Sequence, residues 1–185
     1  MSPTVSIVPL GPEHTLDLQR FLAAIGDADQ TFLGNSGLRD ISPESPEQLD
    51  GRHYLALMQG ESAVDAQRVV GLSSVTIGTG WSRHVGQLRV IVDSGLRRSG
   101  LGGQLALAAV AGAHQCGLEK VFVEVRSDQE RVQSLFTRLG FRPEALLTDH
   151  LKDPEGRTYD LLTLAHRIDE DQGLLIATGL AQVRG

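Results

Sequence analysis

Two apolar strands, joined by a glycine-rich loop and an alanine-rich helix, occupy the middle of this chain. The pattern predicts strands at Gln87 to Asp93 and at Lys120 to Arg126, with a helix from Leu101 to Cys116 between them. The apolar stripe of that helix is predicted to contain Leu101, Leu105, Ala108, Gly112 and Cys116. The second strand, KVFVEVR, is typical of a strand buried on both faces, as in a parallel pair bridged by a helix. A βαβ unit at this position favours an α/β fold.

Further strands and helices are predicted on both sides of this unit. Alternating residues indicate strands at Thr4–Leu10, His53–Gln59, Val69–Ile77, Glu144–Leu151 and Arg157–Arg167. Leu18, Phe21, Leu22 and Ile25 repeat at helical spacing. The segment Ser127 to Glu130 fits a capping box that opens a helix ending at Gly140. The prediction is a single domain over residues 1–167, with a mixed, mostly antiparallel sheet of about seven strands, one parallel pair and about four flanking helices.

Two segments contain no motif that indicates a function. Residues 27–50 are rich in Gly, Ser, Asp and Pro, with one short helix predicted after Pro46, and are either a substrate-side loop or a plain connection. Residues 168–185 form a C-terminal tail for which an extra strand, a subunit contact in a homodimer and a mobile end are all left open.

Composition excludes several classes of partner. The formal charge is −6, whereas nucleic-acid binding normally requires clustered basic residues. No apolar run is long enough to span a membrane, and the amino terminus has no signal-peptide pattern, so we expect a cytoplasmic protein. The single cysteine, Cys116, cannot form an internal disulfide, and no residue spacing indicates a metal site.

The loop between the strand and the helix has the chemistry of an anion site. It contains Arg97, Arg98, Ser99 and three glycines, Gly100, Gly102 and Gly103. Glycines let backbone N–H groups approach phosphate oxygens, and a helix amino terminus has unpaired donors and a partial positive charge. The spacing fits neither a Walker loop nor a dinucleotide fingerprint.

What the segment does resemble is the GNAT superfamily of N-acetyltransferases. The family signature is Gln or Arg, two residues, Gly, one residue, then Gly or Ala, and Arg97, Gly100 and Gly102 match it. The resemblance extends from about Gly86 to Phe141, where Leu139-Gly140-Phe141 matches the end of the family's following helix. Two positions depart from the pattern. Gln129 replaces a frequent Asn, and Phe136 replaces the Tyr usually assigned as the acid that protonates the thiolate.

The resemblance implies acetyl-CoA as donor and a primary amine, on a small molecule or a protein, as acceptor. It implies that the strand at Val90–Val92 pairs with the pantetheine arm and that the parallel pair of the sheet is splayed beside it. It also implies that an N–H near Ile91 or Val92 holds the acyl oxygen and that the amine attacks directly in a ternary complex. The residues expected to contact the cofactor are Val90, Ile91, Val92, Arg97, Arg98, Ser99, Gly100, Leu101, Gly102, Gly103, Gln129 and Phe136.

An ammonium acceptor must lose a proton, so a base is required. Glu124 is the first candidate, because it is a carboxylate in an otherwise apolar strand and one branch of the family uses Glu at the matching position. A structural role, in solvent or in an ion pair with Arg126 or Arg89, is the alternative for Glu124. His84 and His150 are further candidates, each with a surface role as the alternative. Trp81 is predicted to be a packing residue, with a stacking platform for a ligand as the alternative.

Two further functions are left open. Transfer of a longer acyl group is one, because Phe136 would permit a wider pocket mouth. A CoA-binding sensor without catalysis is the other, because Phe136 cannot donate a proton.

Overall fold

The computed structural model describes residues 4–26, 51–59 and 67–168. The predictions for residues 27–50 and for nearly all of the tail lie outside these ranges. The strands are β1 (Val5–Pro9), β2 (Arg52–Met58), β3 (Arg68–Ile77), β4 (Val85–Val92), β5 (Lys120–Arg126), β6 (Arg142–Lys152) and β7 (Thr158–Arg167). The α-helices are α1 (Thr15–Ala24), α2 (Leu101–Gln115) and α3 (Glu130–Arg138).

The strands form one seven-stranded sheet in the order β1-β2-β3-β4-β5-β7-β6. The pairs β1–β2, β2–β3, β5–β7 and β6–β7 are antiparallel. In contrast, β4 and β5 are parallel, over Val85 to Gln87 and Lys120 to Phe122. The predicted mixed sheet with one parallel pair is therefore confirmed, with three α-helices rather than about four in the part of the chain that the structure describes.

The described residues pack as two compact units. The first contains everything up to Thr76 together with Arg89–Ala109, and the second contains Ile77–Leu88 and the chain from Val110 on. In the first unit the sheet has an apolar cluster on each face. One cluster joins α1 to the strands through Leu18, Phe21, Leu22, Leu55, Leu57, Val69, Leu72 and Ile91. The other joins the start of α2 to them through Ala56, Val70, Leu101 and Leu105.

Helix α2 lies very close to β3. A Cβ atom on Gly71 would be 2.8 Å from Leu105 Cδ1 and 3.1 Å from the Ile91 carbonyl oxygen, so the glycine makes room for the helix. The predicted stripe of α2 is only partly right. Leu101, Leu105 and Gly112 are buried, but Ala108 and Cys116 are only half-buried, and Ala106, Ala109, Val110 and Ala113 are buried instead. In a helix this rich in alanine, almost every position is apolar, so periodicity does not define the buried face.

In the second unit, α2 and α3 end in the same way. After α3, Gly140 takes a left-handed φ of 84°, its N–H donates to Thr137, and the N–H of Phe141 donates to Phe136. This is a Schellman motif, and the two phenylalanine rings pack edge to face across it with centroids 5.1 Å apart. Gly117 ends α2 in the same conformation, with φ 70°.

Three sequence predictions about packing are wrong. The N-cap of α3 is Gln129 with no side-chain capping bond, instead of a capping box that begins at Ser127. The box does not form because Asp128 binds Arg126, and because Ser127 lies in a turn in which its N–H donates to Asp160. Strand β5 is not buried on both faces: its valines are buried, but Phe122 and Glu124 are half-buried.

Trp81 is the third correction. It was expected to be a packing residue, but it is 99% exposed, in a short 3-10 helix between β3 and β4. The ring projects from a connection that makes no apolar cluster of its own among the described residues.

Phe141 tests the core of the second unit. The ring is 1% exposed and also stacks on His166, with centroids 5.2 Å apart. We expect Phe141→Ala to lower the free energy of unfolding by about 3–5 kcal/mol, because a buried aromatic ring leaves a cavity. The measurement is urea unfolding followed by far-UV circular dichroism. Trp81→Ala is the control, since it removes a ring that is already in water. Equal midpoints for the two variants would contradict the assignment of Phe141 to the core.

Candidate active site

The loop that leaves β4 is shaped by its own backbone. Asp93 caps a short 3-10 helix at Ser94–Leu96, because its Oδ1 atom accepts from the N–H of Gly95 at 2.8 Å. Its other oxygen, Oδ2, lies 3.4 Å from Arg68 Nη1. The hydroxyl of Ser99 donates to Leu96 O at 2.7 Å and accepts from the N–H of Leu101 at 3.4 Å. These contacts hold the loop against the first turn of α2.

Left-handed backbone at Arg98 and Gly100, with φ values of 70° and 87°, turns the loop back toward the helix. Within the described ranges, the N–H groups of Arg98, Gly100 and Gly102 have no hydrogen-bond acceptor. A Cβ on Gly100 would meet nothing within 4 Å, so the loop surface is open at this point. Unpaired N–H groups at the start of a 15-residue helix, next to two exposed arginines, have the chemistry that anion binding requires.

The last residues of β4 lie directly before this loop. Ile91 packs in the α1 cluster, whereas Val90 and Val92 pack against the α2 cluster. The N–H of Asp93 donates to Val70 O of β3 at 2.8 Å. Because hydrogen-bonding direction alternates along a strand, the N–H groups of Val90 and Val92 point away from β3. The ladder to β5 extends only as far as Gln87, so Val90–Val92 lie beyond the part of β4 that pairs with β5.

Glu124 lies in the second unit and has a defined partner. Gln87 Nε2 donates to Glu124 Oε2 at 2.8 Å, and both side chains are half-buried. Across the sheet, Glu124 is paired with Thr163 of β7. The expected alternative of an ion pair with Arg126 does not occur, because Arg126 binds Asp128. The amide of Gln87 therefore holds one of the two carboxylate oxygens, Oε2. Sequence reasoning missed Gln87, because a glutamine at the start of a strand has no distinguishing signal.

The two histidine candidates lie apart from that pair, on other elements. His84 is exposed just before β4, and its backbone carbonyl accepts from the N–H groups of Glu119 and Lys120. His150 is exposed on β6, where the pairing with β7 is irregular between Leu147 and Leu151. Neither imidazole makes a hydrogen bond to any residue in the described part of the chain.

Gln129 and Phe136 were predicted to contact the cofactor. Gln129 is exposed at the start of α3, where its side chain is accessible to a ligand. Phe136 is 2% exposed and contacts Phe141, so most of its ring lies in the core of the second unit.

A charged cluster lies at the end of β5. Arg126 forms a two-pronged ion pair with Asp128, Nε to Oδ1 at 2.9 Å and Nη2 to Oδ2 at 2.5 Å. Its guanidinium also lies 3.8 Å from the centre of the Tyr159 ring. The hydrogen bond from Arg126 lowers the pKa of Asp128, and the same bond raises the pKa of Arg126. This cluster fixes the turn from β5 into α3.

A family model described as the acetyltransferase (GNAT) family matches residues 26–141. The chain belongs to this family. The match contains β4, the arginine and glycine loop, α2, β5 and α3. No curated protein matches the sequence.

Solved structures agree with the GNAT assignment of the fold. The chain is 19% identical to a GNAT-family acetyltransferase from Streptococcus pneumoniae, with a TM-score of 0.70 over 89% of this chain and 99% of that one. It is 17% identical to yncA, a putative acetyltransferase from Salmonella typhimurium solved with its cofactor acetyl-CoA, with a TM-score of 0.69 over 91% and 96% of the chains. It is 16% identical to the ribosomal-protein-S18-alanine N-acetyltransferase of Escherichia coli, with a TM-score of 0.63 over 89% and 94%.

Two features are absent from the described part of this GNAT chain. Within residues 4–26, 51–59 and 67–168, no helix is long and apolar enough to cross a membrane. In the same ranges, no group of three His, Cys, Asp or Glu side chains is placed to hold a metal ion.

The Arg126–Asp128 pair gives a pH prediction. A carboxyl whose pKa is lowered by folding contributes stability above its unfolded pKa of about 3.9, and this contribution is lost as the pH falls through the folded pKa. Asp128→Asn should therefore reduce stability near neutral pH by at most about 1 kcal/mol, since the pair is in contact with water, and should flatten the loss below about pH 4. The melting temperatures of the variant and the wild type between pH 7 and pH 2.5 measure both effects. Glu119→Gln, which removes a carboxylate without an ion pair among the described residues, is the control. If Asp128→Asn loses as much stability below about pH 4 as the wild type does, the loss does not come from the Arg126–Asp128 pair.

Proposed function

We propose that this GNAT-family protein is an N-acetyltransferase that moves the acetyl group of acetyl-CoA to a primary amine. The observation that carries the proposal is the open loop that follows Arg97. The N–H groups of Arg98, Gly100 and Gly102, at the start of a helix, have no acceptor among the described residues. A pyrophosphate is an anion of the size and charge that such a loop binds. The Salmonella typhimurium structure to which this chain is similar contains acetyl-CoA.

In the proposed complex, the pantetheine arm pairs with the open edge of β4. The N–H groups of Val90 and Val92 point toward that edge, and Val92 is therefore the better donor to the acyl oxygen than Ile91. A backbone N–H aimed at this oxygen stabilises the negative charge that develops there when the amine attacks. Pairing by backbone alone positions the thioester without requiring a particular side chain at these positions.

Glu124 is the proposed base. The ammonium group of the acceptor gives a proton to the carboxylate, directly or through water, and the neutral amine then attacks the thioester carbonyl. As the new C–N bond forms, the C–S bond breaks and CoA leaves as the thiolate. The second proton of the attacking nitrogen passes through water to this thiolate, which leaves a neutral amide and free CoA. Gln87 supports this role, because its hydrogen bond to Oε2 orients the carboxylate and leaves Oε1 for the proton. Gln87 is thus a positioning residue.

A charge reversal tests the loop. We expect Arg98→Glu to weaken acetyl-CoA binding at least about ten-fold, because it replaces an attraction to phosphate with a repulsion. Arg98 already has a left-handed φ, so glutamate adds no new backbone strain. Isothermal titration calorimetry gives the affinity. Arg83→Glu is the matched control, since it makes the same charge change at another exposed arginine. Equal affinity in Arg98→Glu and the wild type would rule out the loop as the pyrophosphate site.

Substitutions at Glu124 and Gln87 test the base and its orientation. Glu124→Gln should lower kcat by roughly 10²–10⁴-fold and leave the acetyl-CoA affinity unchanged, because the carboxylate acts only in proton transfer. Gln87→Leu should lower kcat by a smaller factor, about three- to ten-fold, because the base stays but loses its orientation.

The assay is CoA release across a panel of amines. Wild-type kcat in Glu124→Gln would remove Glu124 from the base role. If the wild type binds acetyl-CoA but no amine in the panel leads to release of CoA, the protein is a CoA-binding sensor and not an enzyme. A faster reaction with longer acyl-CoA thioesters than with acetyl-CoA would show that the donor has a longer acyl group.

A further inference from the structure

Four polar side chains share one face of the sheet in the first unit. His53 of β2 is paired with Ser74 of β3, and Thr76 lies two residues farther along the same strand. The hydrogen bond from Asp93 N–H to Val70 O sets the β3–β4 register and places Arg89 across from Ser74. We call these residues, His53, Ser74, Thr76 and Arg89, the Ser74 row.

The Ser74 row continues an apolar face. Leu55, Leu72 and Ile91 are two residues away from His53, Ser74 and Arg89 on their strands, and all three pack in the α1 cluster. Since side chains alternate between faces, the Ser74 row lies on the same side of the sheet as α1. Three neighbouring strands thus change from aliphatic to polar residues at the same level.

Burial makes these polar groups costly. Ser74 is completely buried and His53 is 8% exposed, whereas Thr76 and Arg89 are half-buried, so the row has an open end. The Ser74 Oγ and Thr76 Oγ1 atoms are buried and have no hydrogen-bond partner among the described residues. A buried hydroxyl without a partner costs about 1–3 kcal/mol, and alanine or valine would avoid that cost. The hydroxyls are therefore poor stabilisers of the fold and well suited to bind a ligand.

The side chains of the Ser74 row are suited to binding a carboxylate. Hydroxyl groups and a guanidinium donate hydrogen bonds, and Arg89 supplies a positive charge. The strands β2, β3 and β4 contain no Asp or Glu, although the whole chain has a formal charge of −6. Their basic side chains are Arg52, His53, Arg68 and Arg89. An ammonium group would find no counter-charge on these strands, whereas a carboxylate would.

We propose that the Ser74 row binds the carboxylate of the acceptor, so that the acceptor is an amino acid or a similar amine with a carboxylate close to its nitrogen. This inference depends on the proposed acetyl transfer. The class of acceptor is thereby named, and its carboxylate is recognised by residues outside the arginine and glycine loop.

The experiment compares free amino acids with the amines formed by removing their carboxylate. With acetyl-CoA saturating, CoA release gives kcat and KM for each member of a pair. We expect the wild-type kcat/KM to be at least about ten-fold higher for the amino acids, and Ser74→Ala, Thr76→Val and Arg89→Gln each to reduce this preference by raising the KM of the amino acid. The KM of the amine should not change.

Ser73→Ala is the matched control. Ser73 is also completely buried and its hydroxyl also lacks a partner among the described residues, but it lies on the opposite face of β3. Ser73→Ala should therefore keep the wild-type preference. Circular dichroism identifies any variant that does not fold. If Ser74→Ala does not fold, Thr76→Val and Arg89→Gln test the carboxylate site in its place.

The outcomes separate the two proposals. If no amine or amino acid releases CoA, the proposed acetyl transfer fails. If acetylation occurs but amino acids and their decarboxylated amines react equally, the carboxylate site is wrong. An equal loss of preference in Ser73→Ala and Ser74→Ala also overturns it, because a structural effect would then explain both.

Discussion

The contact between α2 and β3 at Gly71 fixes the position of the arginine and glycine loop. Without a side chain at that residue, Leu105 reaches the backbone of the sheet, and the first turn of the helix is held by Leu101 in the same cluster. The N–H groups at the helix start are therefore held by packing of the helix behind them. Because close-packed interiors deform little, the donors are fixed before a ligand arrives. Such preorganisation is what makes a backbone anion site effective.

Strand positions and the loop could be read from sequence because their signals are local. Alternation located all seven strands within a few residues, and the arginine and glycine spacing located the family. The buried face of α2 could not be read, because alanine gives almost no contrast between faces. The start of α3 was misplaced because Ser127 and Glu130 have the spacing of a capping box. In the folded chain Asp128 pairs with Arg126 and Gln129 is the N-cap.

The same limit applies to the site. Glu124 was a candidate because a carboxylate in an apolar strand is unusual, but its hydrogen-bond donor, Gln87, lies 37 residues earlier. Contacts of that kind depend on strand register, which a single sequence does not contain. Ser74 and Ser73 show this even more clearly. They are adjacent and chemically identical, yet one lies on the polar row facing the α1 side and the other on the α2 side.

Trp81 has a practical meaning for solution work on this protein. It is the single tryptophan of the chain, and its indole is already in water in the folded state. Its emission will therefore change little when the core melts, and a fluorescence trace will understate unfolding. The same exposure makes the indole a local reporter. A quencher in solution will reach it directly, and any molecule that covers the connection between β3 and β4 will shield it.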